Sequence, residues 1–222
     1  MNVEVNNIRK AYGKQRVLNG SSFTAASGSC VGILGKNGCG KSTLLSILAG
    51  VQKCDGGEFL IDGHPMFSRP AELRRNVGYV PQGTPLIEEL TARDNLLLWY
   101  DKNEIDRELH GGVLDMLGIG EFLKTTVSKM SGGMKKRLSI GCAMYTRPPV
   151  LLLDEPCAAL DIECKESILN YLRDYKNRGG ALVLISHDPM ELEICDRCLI
   201  MRGGVLYDYD YDGDVERLVR AL

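Results

Sequence analysis

The sequence has little net charge and no long apolar run. Among its 222 residues, 27 are basic and 29 are acidic, which gives a formal net charge of −2. This balance gives no reason to expect general affinity for nucleic acid or anionic lipid. No apolar run approaches the roughly 20 residues of a membrane-spanning helix, and the start, MNVEVN, lacks the basic and apolar blocks of a signal peptide. We therefore expect a cytoplasmic protein that does not bind nucleic acid.

The eight cysteines follow no recognisable disulfide or zinc pattern. Cys195 and Cys198 form the sole C-x-x-C, and no second pair stands at zinc-ribbon spacing. We interpret this pair as coincidental and expect the thiols to be reduced. Two of the three histidines, His64 and His110, stand in turn-like or polar surroundings, and we assign them no role.

A glycine-rich stretch, residues 35–43 with the sequence GKNGCGKST, matches the phosphate-binding pattern G-x-x-x-x-G-K-[ST]. It follows the apolar run 31–34, a predicted buried strand, and precedes 44–50, a predicted helix. The glycines let backbone N–H groups turn towards an anion, and the helix start adds a positive dipole. Lys41 is expected to reach the β- and γ-phosphates, and the Ser42 hydroxyl to hold Mg²⁺. The alternative, a glycine turn without a ligand, is disfavoured because strand, glycines, Lys-Ser pair and helix occur in order.

Short apolar segments alternate with helical patterns along the rest of the chain. Residues 3–9 and 17–24 are expected to form an antiparallel hairpin. Further strands are predicted at 58–61, 77–80, 150–153 and 181–185, and helices from Thr91 as N-cap to Tyr100, and at 106–117, 132–145 and 162–177, the last capped by Asp161. A short helix after Pro189, a hairpin around 203–204 and a small helix near 214–222 complete the prediction.

These elements predict an α/β fold of the P-loop NTPase class. We expect a mainly parallel core sheet, an N-terminal antiparallel β subdomain, and an inserted α-helical subdomain at about 86–145.

Four apolar strands end at polar groups: the phosphate loop, Gln82, Asp154 with Glu155, and Ser186 with His187. Ligands of open parallel sheets bind at the carboxyl ends of the strands, so these groups are expected to converge on one phosphate. Asp154 matches the acidic partner of Mg²⁺ in P-loop NTPases, and Glu155 can accept a proton from an attacking water.

The remaining two polar groups leave alternatives open. The amide of Gln82 suits Mg²⁺ or the lytic water, although a glutamine after proline is also an ordinary turn residue. His187 can donate to the γ-phosphate or be a loop residue with no role.

Residues 131–138, SGGMKKRL, resemble the signature motif of ATP-binding cassette (ABC) proteins, and they stand just upstream of the strand that ends in Asp154. The resemblance covers nearly the whole chain, 1–222, as a single ABC ATPase domain. It implies that Tyr12 stacks on adenine, that residues 159–161 form the D-loop, that Glu155 is the catalytic glutamate and His187 the switch histidine. The nucleotide contacts that we expect are Tyr12, Gly35, Asn37, Gly38, Cys39, Gly40, Lys41, Ser42, Thr43, Ser131, Gly132, Gly133 and Asp161. Catalysis is assigned to Glu155, His187, Gln82 and Lys41, and Mg²⁺ to Ser42, Gln82 and, through water, Asp154.

The family resemblance also implies partners. Two cassettes, as a homodimer or heterodimer, close head-to-tail on two ATP molecules, so that the signature motif of one faces the γ-phosphate held by the other. Closure passes through the Q-loop and the helical subdomain to separate transmembrane permease subunits, on the cytoplasmic face of the membrane. Met134, where glutamine is commoner, and residues 90–96, LTARDNL, resemble export-type systems.

Two expectations concern individual side chains, and two other functions need to be weighed. The Cys39 thiol should lie close to bound phosphate, and the basic run Lys135–Arg137 should be a solvated helix face. A soluble iron–sulfur assembly cassette remains an alternative function. A P-loop kinase or GTPase does not explain the signature motif.

Overall fold

The β-strands form two sheets in the computed structural model, which describes residues 1–221. The strands are β1 (Asn2–Tyr12), β2 (Gln15–Ala26), β3 (Cys30–Leu34), β4 (Gly56–Ile61), β5 (His64–Pro65), β6 (Val77–Val80), β7 (Val150–Asp154), β8 (Ala181–Ile185), β9 (Arg197–Arg202) and β10 (Val205–Tyr209). The helices are α1 (Lys41–Leu48), α2 (Pro70–Asn76), α3 (Ala92–Leu96), α4 (Lys102–Glu108), α5 (Val113–Met116), α6 (Gly132–Ala143), α7 (Ile162–Asn177), α8 (Pro189–Leu192) and α9 (Val215–Ala221). Short 3₁₀ turns lie at Ile119–Phe122 and Val127–Lys129. No helix within residues 1–221 is both long and apolar enough to cross a bilayer.

The larger sheet has the strand order β10-β9-β3-β8-β7-β6, and β3, β8, β7 and β6 run parallel. Strand β7 is apolar throughout because both of its faces are covered. Leu151 and Leu153 join the core beneath the helices between β6 and β7, whereas Val150 and Leu152 join the core that contains α1 and the N-terminal sheet. The predicted parallel core is confirmed, and it brings four strand ends to one edge.

The smaller sheet is antiparallel, with the order β2-β1-β4-β5. Strands β1 and β2 pair from Asn2 with Ala26 to Tyr12 with Gln15, so the predicted hairpin is confirmed and longer than expected. The turn that precedes β10 contacts β2, since the Asn19 N–H donates to the Gly204 carbonyl (2.9 Å). The antiparallel subdomain therefore rests against the edge of the larger sheet.

Helix α3 is shorter than the sequence predicts. Thr91 caps it as expected, because its hydroxyl accepts the N–H of Asp94 (3.2 Å). The helix ends at Leu96 rather than Tyr100, since the N–H of Trp99 turns back to the Leu96 carbonyl (2.9 Å) in a tighter, three-residue turn.

The predicted helix 106–117 is wrong, since two helices occupy this stretch. Helix α4 begins earlier, after Asp101, which forms a capping box with Glu104. The chain breaks at Gly111, whose φ is 97°, a conformation that favours glycine. Glu108 then accepts the N–H of Val113 (2.9 Å), which opens α5.

Candidate active site

The glycine-rich loop connects β3 to α1 at the carboxyl edge of the parallel sheet. Gly38 has φ 77° and Gly40, the N-cap of α1, has φ 113°, so both use conformations that side chains rarely adopt. A Cβ on Gly40 would lie 3.0 Å from the Val17 carbonyl oxygen. The loop borders a cavity of about 400 Å³ lined by Val17, Asn37, Gly38, Gly40, Lys41, Ser42, Thr43, Gln82 and Glu155.

Lys41 folds back over the loop that precedes it. Its Nζ donates to the carbonyl oxygens of Gly35 and, at 3.2 Å, of Lys36, and the residue is only 6% exposed. The ammonium group is thereby held beside the cavity in a fixed position.

Two carboxylates follow strand β7. Asp154 is 3% exposed, and burial raises the pKa of its carboxyl while a hydrogen bond with Ser42 lowers it. Glu155 has φ 48°, an uncommon conformation for a side-chain-bearing residue, and its N–H donates to the Ile185 carbonyl of the neighbouring strand (3.0 Å). A buried carboxylate bonded to a hydroxyl provides hard oxygen ligands, so Ser42 and Asp154 fit Mg²⁺.

Gln82 joins this group from strand β6. Its Nε2 donates to Oε2 of Glu155 at 2.8 Å, although 73 residues separate them in the sequence. The polar side chains that follow β3, β6 and β7 therefore meet at one cavity, and the predicted convergence of these strand ends is present.

His187 follows strand β8 and lines a second cavity of about 370 Å³, which shares Glu155 with the first. Burial and the positive charge of Lys41 lower the pKa of the imidazole below its usual 6.5, against an opposing effect of Glu155. The lowered pKa favours the neutral form of His187 at pH 7.

Three residues of the first 43 that we expect at the nucleotide, Tyr12, Gly35 and Cys39, are absent from the cavity lining. The ring of Tyr12 has the Lys10 ammonium 5.7 Å from its centroid, and its hydroxyl donates to Gln52. The Cys39 thiol packs against the core under the loop, where a Cβ on Gly35 would be 2.7 Å from its sulfur, and its closeness to bound phosphate stays a prediction. Sequence reasoning missed Val17, which lines the cavity from strand β2. No motif marks Val17 in the sequence, because the contact depends on how strand β2 packs against the loop.

The signature residues lie outside this cavity. Ser131 caps α6, since its Oγ accepts the N–H of Met134 (3.2 Å). Asp161 caps α7 in the same way through Cys164 (2.8 Å), as predicted. The two helix starts touch, because a Cβ on Gly133 would lie 2.2 Å from the sulfur of Cys164.

The basic run at the start of α6 is not a uniformly solvated face. Lys135 meets Glu88 at the surface (3.0 Å), whereas Arg137 donates to the Leu117 carbonyl (3.2 Å). Lys136 is 5% exposed. The expectation of a solvated run is wrong at its centre, since the sequence alone does not reveal which basic side chain another element covers.

The C-x-x-C thiols lie away from the cavity. The sulfur of Cys195 is 3.5 Å from that of Cys30, and burial raises the pKa of the Cys142 thiol to about 12 elsewhere in the core. All eight cysteines are free. Within residues 1–221, no group of three or more histidine, cysteine or acidic residues is placed to hold a metal ion.

Comparisons with known proteins identify the chain's relatives. The family described as ABC transporter matches residues 18–158. The linearmycin resistance ATP-binding protein LnrL of Bacillus subtilis (strain 168) is 34% identical over 207 residues, which is 91% of this chain and 67% of that protein. The Nod factor export ATP-binding protein I of Rhizobium sp. (strain N33) is 35% identical over 208 residues, covering 91% and 68%. The chain thus spans about two thirds of the length of these relatives.

A solved structure shares the fold. It is a dimeric ATP-binding cassette in a post-hydrolysis state bound to ADP and Pi, with a TM-score of 0.82, 28% identity, and coverage of 94% of this chain and 98% of that one. Sequence match, relatives and fold agree with the loop, the carboxylates and the signature helix described above. The chain therefore belongs to the ABC transporter family and is an ATP-binding cassette ATPase.

Proposed function

We propose that this chain hydrolyses MgATP at the cavity between the phosphate loop and Glu155. The observation that carries the proposal is the 2.8 Å bond from Gln82 to Glu155 beside that loop. Glu155 accepts a proton from the attacking water, and Gln82 orients the Glu155 carboxylate and that water. Lys41 and the loop N–H groups hold the β- and γ-phosphates, while neutral His187 donates a hydrogen bond to the γ-phosphate.

Ser42 and Gln82 would hold Mg²⁺ directly, with Asp154 acting through water. When bound, Mg²⁺ neutralises charge on the phosphate oxygens. The buried Asp154 carboxyl supports this assignment, because a carboxylate with 3% exposure is costly without a cation nearby.

We infer that hydrolysis takes place in a head-to-tail dimer. Ser131, Gly132 and Gly133 do not line the cavity of their own chain, so their N–H groups are available to a nucleotide held by a second chain. The neighbouring Ile162 is 75% exposed, which is consistent with coverage by a partner. The dimeric state of the solved relative supports this arrangement.

We further propose that the dimer drives export through separate membrane subunits and sits on the cytoplasmic face of the membrane. Four apolar side chains form an exposed patch on the helical segment: Leu97, Leu98, Trp99 and Tyr145. The rings of Trp99 and Tyr145 contact each other at a tilt of 42°, with centroids 5.3 Å apart, so these two side chains belong to one continuous patch. The relatives named for export and for resistance support the direction.

Glu155→Gln tests the catalytic role. The amide keeps the size of the side chain but cannot accept the water proton, so kcat should fall by about 10²–10³ while the Kd for ATP stays within about twofold. Hydrolysis at the wild-type rate would contradict the assignment.

Co-purification tests the transport role. Chain purified from its native membranes in mild detergent is expected to bring a multi-span membrane protein with it. The double variant Leu98→Ser/Trp99→Ser should lose that protein but keep ATPase activity. A soluble scaffold complex in its place would contradict the transport proposal.

A further inference from the structure

Lys136 is a buried charged residue that the proposed catalysis does not use. Its Nζ donates to two successive main-chain carbonyls, those of Pro81 and Gln82, each at 3.0 Å. The neighbouring Lys135 offers a natural contrast, because its ammonium pairs with Glu88 at the surface. Lys136 of α6 therefore binds the main chain of the loop that follows β6.

Burying the Lys136 ammonium costs free energy unless its hydrogen bonds to the two carbonyls are formed. A lysine at 5% exposure loses most of its hydration, and this loss lowers the pKa of its ammonium. The carboxylates of Asp154, Glu155 and Glu191 act on it in the opposite direction. The ammonium is thus stabilised by its bonds to the two carbonyls and by the negative charge of these carboxylates.

The two carbonyls belong to the residues that set the direction of the Gln82 side chain. The main chain of Gln82 is fixed by Lys136, and its side-chain amide reaches Glu155 at 2.8 Å. Lys136 itself lies in the second turn of α6, five residues after the signature residue Ser131. One ammonium group therefore connects the signature helix with the residue that contacts the catalytic carboxylate.

We propose that Lys136 is a positioning residue that fixes the main chain of Gln82 relative to the signature helix. A displacement of α6 on dimer closure is then transmitted to Gln82 through this contact, without passing through the nucleotide. This inference rests on the proposed roles of Gln82 and Glu155. It adds to them a mechanical link between the composite site and the water-orienting amide.

The test is a double-mutant cycle of Lys136→Met and Gln82→Ala, read by steady-state ATPase kinetics. Lys136→Met removes the two bonds and keeps the length of the side chain, and we expect kcat to fall about tenfold, because small misplacements of a catalytic group are costly. The Kd for ATP, which Lys136 does not contact, should stay within about twofold. In the Gln82→Ala background the same change should lower kcat less than about twofold, because the residue it positions is absent.

Two matched variants separate position from charge. Lys136→Arg can donate to both carbonyls and should restore kcat to within about threefold of wild type. Lys135→Met, one position earlier on the surface, should leave kcat unchanged. If Lys136→Met does not fold, Lys136→Gln, which keeps one donor group, takes its place in the cycle.

The outcomes distinguish this inference from the proposed function. If Lys136→Met lowers kcat equally in both backgrounds, Lys136 acts elsewhere and the inference is overturned while Gln82 keeps its role. If Gln82→Ala alone leaves kcat unchanged, the proposed role of Gln82 fails, and the inference falls with it. A loss confined to the background that contains Gln82, with rescue by arginine, supports the link.

Discussion

Gly133→Ala places one methyl group where α6 meets α7. The new Cβ would lie 2.2 Å from the sulfur of Cys164 and 3.1 Å from its Cβ. The first distance is far inside van der Waals contact, so the Cys164 side chain must rotate or the two helix starts must separate. Overpacking of this kind costs about 1–3 kcal/mol. Alanine recovers at most about 1 kcal/mol of helix propensity, so we expect a net loss of about 1–2 kcal/mol.

The adjacent glycine is the matched control. A Cβ on Gly132 would meet only Leu160, at 3.6 Å, which is ordinary contact. Gly132→Ala should therefore be neutral or slightly stabilising. Urea unfolding followed by circular dichroism measures both variants.

Cys164→Ala in the Gly133→Ala background tests whether the Cys164 sulfur causes the loss of stability. Removing the sulfur removes the worst overlap but not the 3.1 Å contact with Cβ, so we expect recovery of more than half of the lost stability. Equal stability of Gly133→Ala and Gly132→Ala would refute the packing argument.

Three further predictions follow from individual contacts. Tyr100→Phe removes a buried hydroxyl that donates to the Gly141 carbonyl at 2.7 Å, so urea unfolding should show a loss of about 0.5–1.5 kcal/mol; an unchanged midpoint would contradict it. Burial would raise the pKa of Glu108, but its bonds, chiefly with Arg147, hold the pKa below the usual 4.5. The ionised carboxylate therefore stabilises the fold above pH 4.5, and this stabilisation is lost as the pH falls through the lowered pKa. The difference in unfolding free energy between wild type and Glu108→Gln should narrow on acidification, and a difference that widens would contradict the sign. Alkylation of Cys39 by iodoacetamide should weaken ATP binding about tenfold, because overpacking beneath the loop costs about 1–3 kcal/mol. The Cys39→Ala variant, treated in the same way, should bind ATP normally. Full labelling of Cys39 with unchanged ATP affinity would argue against the placement of its thiol under the loop.

The parallel core was predictable because its signal is local and strong. Strand β7 is apolar at every position up to Asp154, and strands buried on both faces give such runs. The polar residue after each run then indicated the binding edge, since the carboxyl ends of parallel strands lie at the same edge of the sheet. The helix of residues 162–177 was predictable for a similar reason, because Asp161 supplies a cap and a helical pattern follows.

The errors arose where a backbone conformation or a distant element, rather than the local residue pattern, decides the outcome. The backbone conformation of Gly111 divided a segment whose hydrophobic period suggested one helix. Lys136 is as polar as Lys135 in the sequence, but its ammonium bonds to the loop after β6 whereas that of Lys135 pairs with Glu88.

The central claim is a composite site shared by two chains. It is tested most directly by light scattering on size-exclusion chromatography of Glu155→Gln with and without MgATP. We predict twice the mass of one chain with MgATP and a monomer without it, because bound ATP persists when hydrolysis is blocked. Adding Ser131→Arg to Glu155→Gln should leave a monomer that still binds ATP. A monomer of Glu155→Gln in saturating MgATP, or a dimer that forms despite Ser131→Arg, would contradict the account.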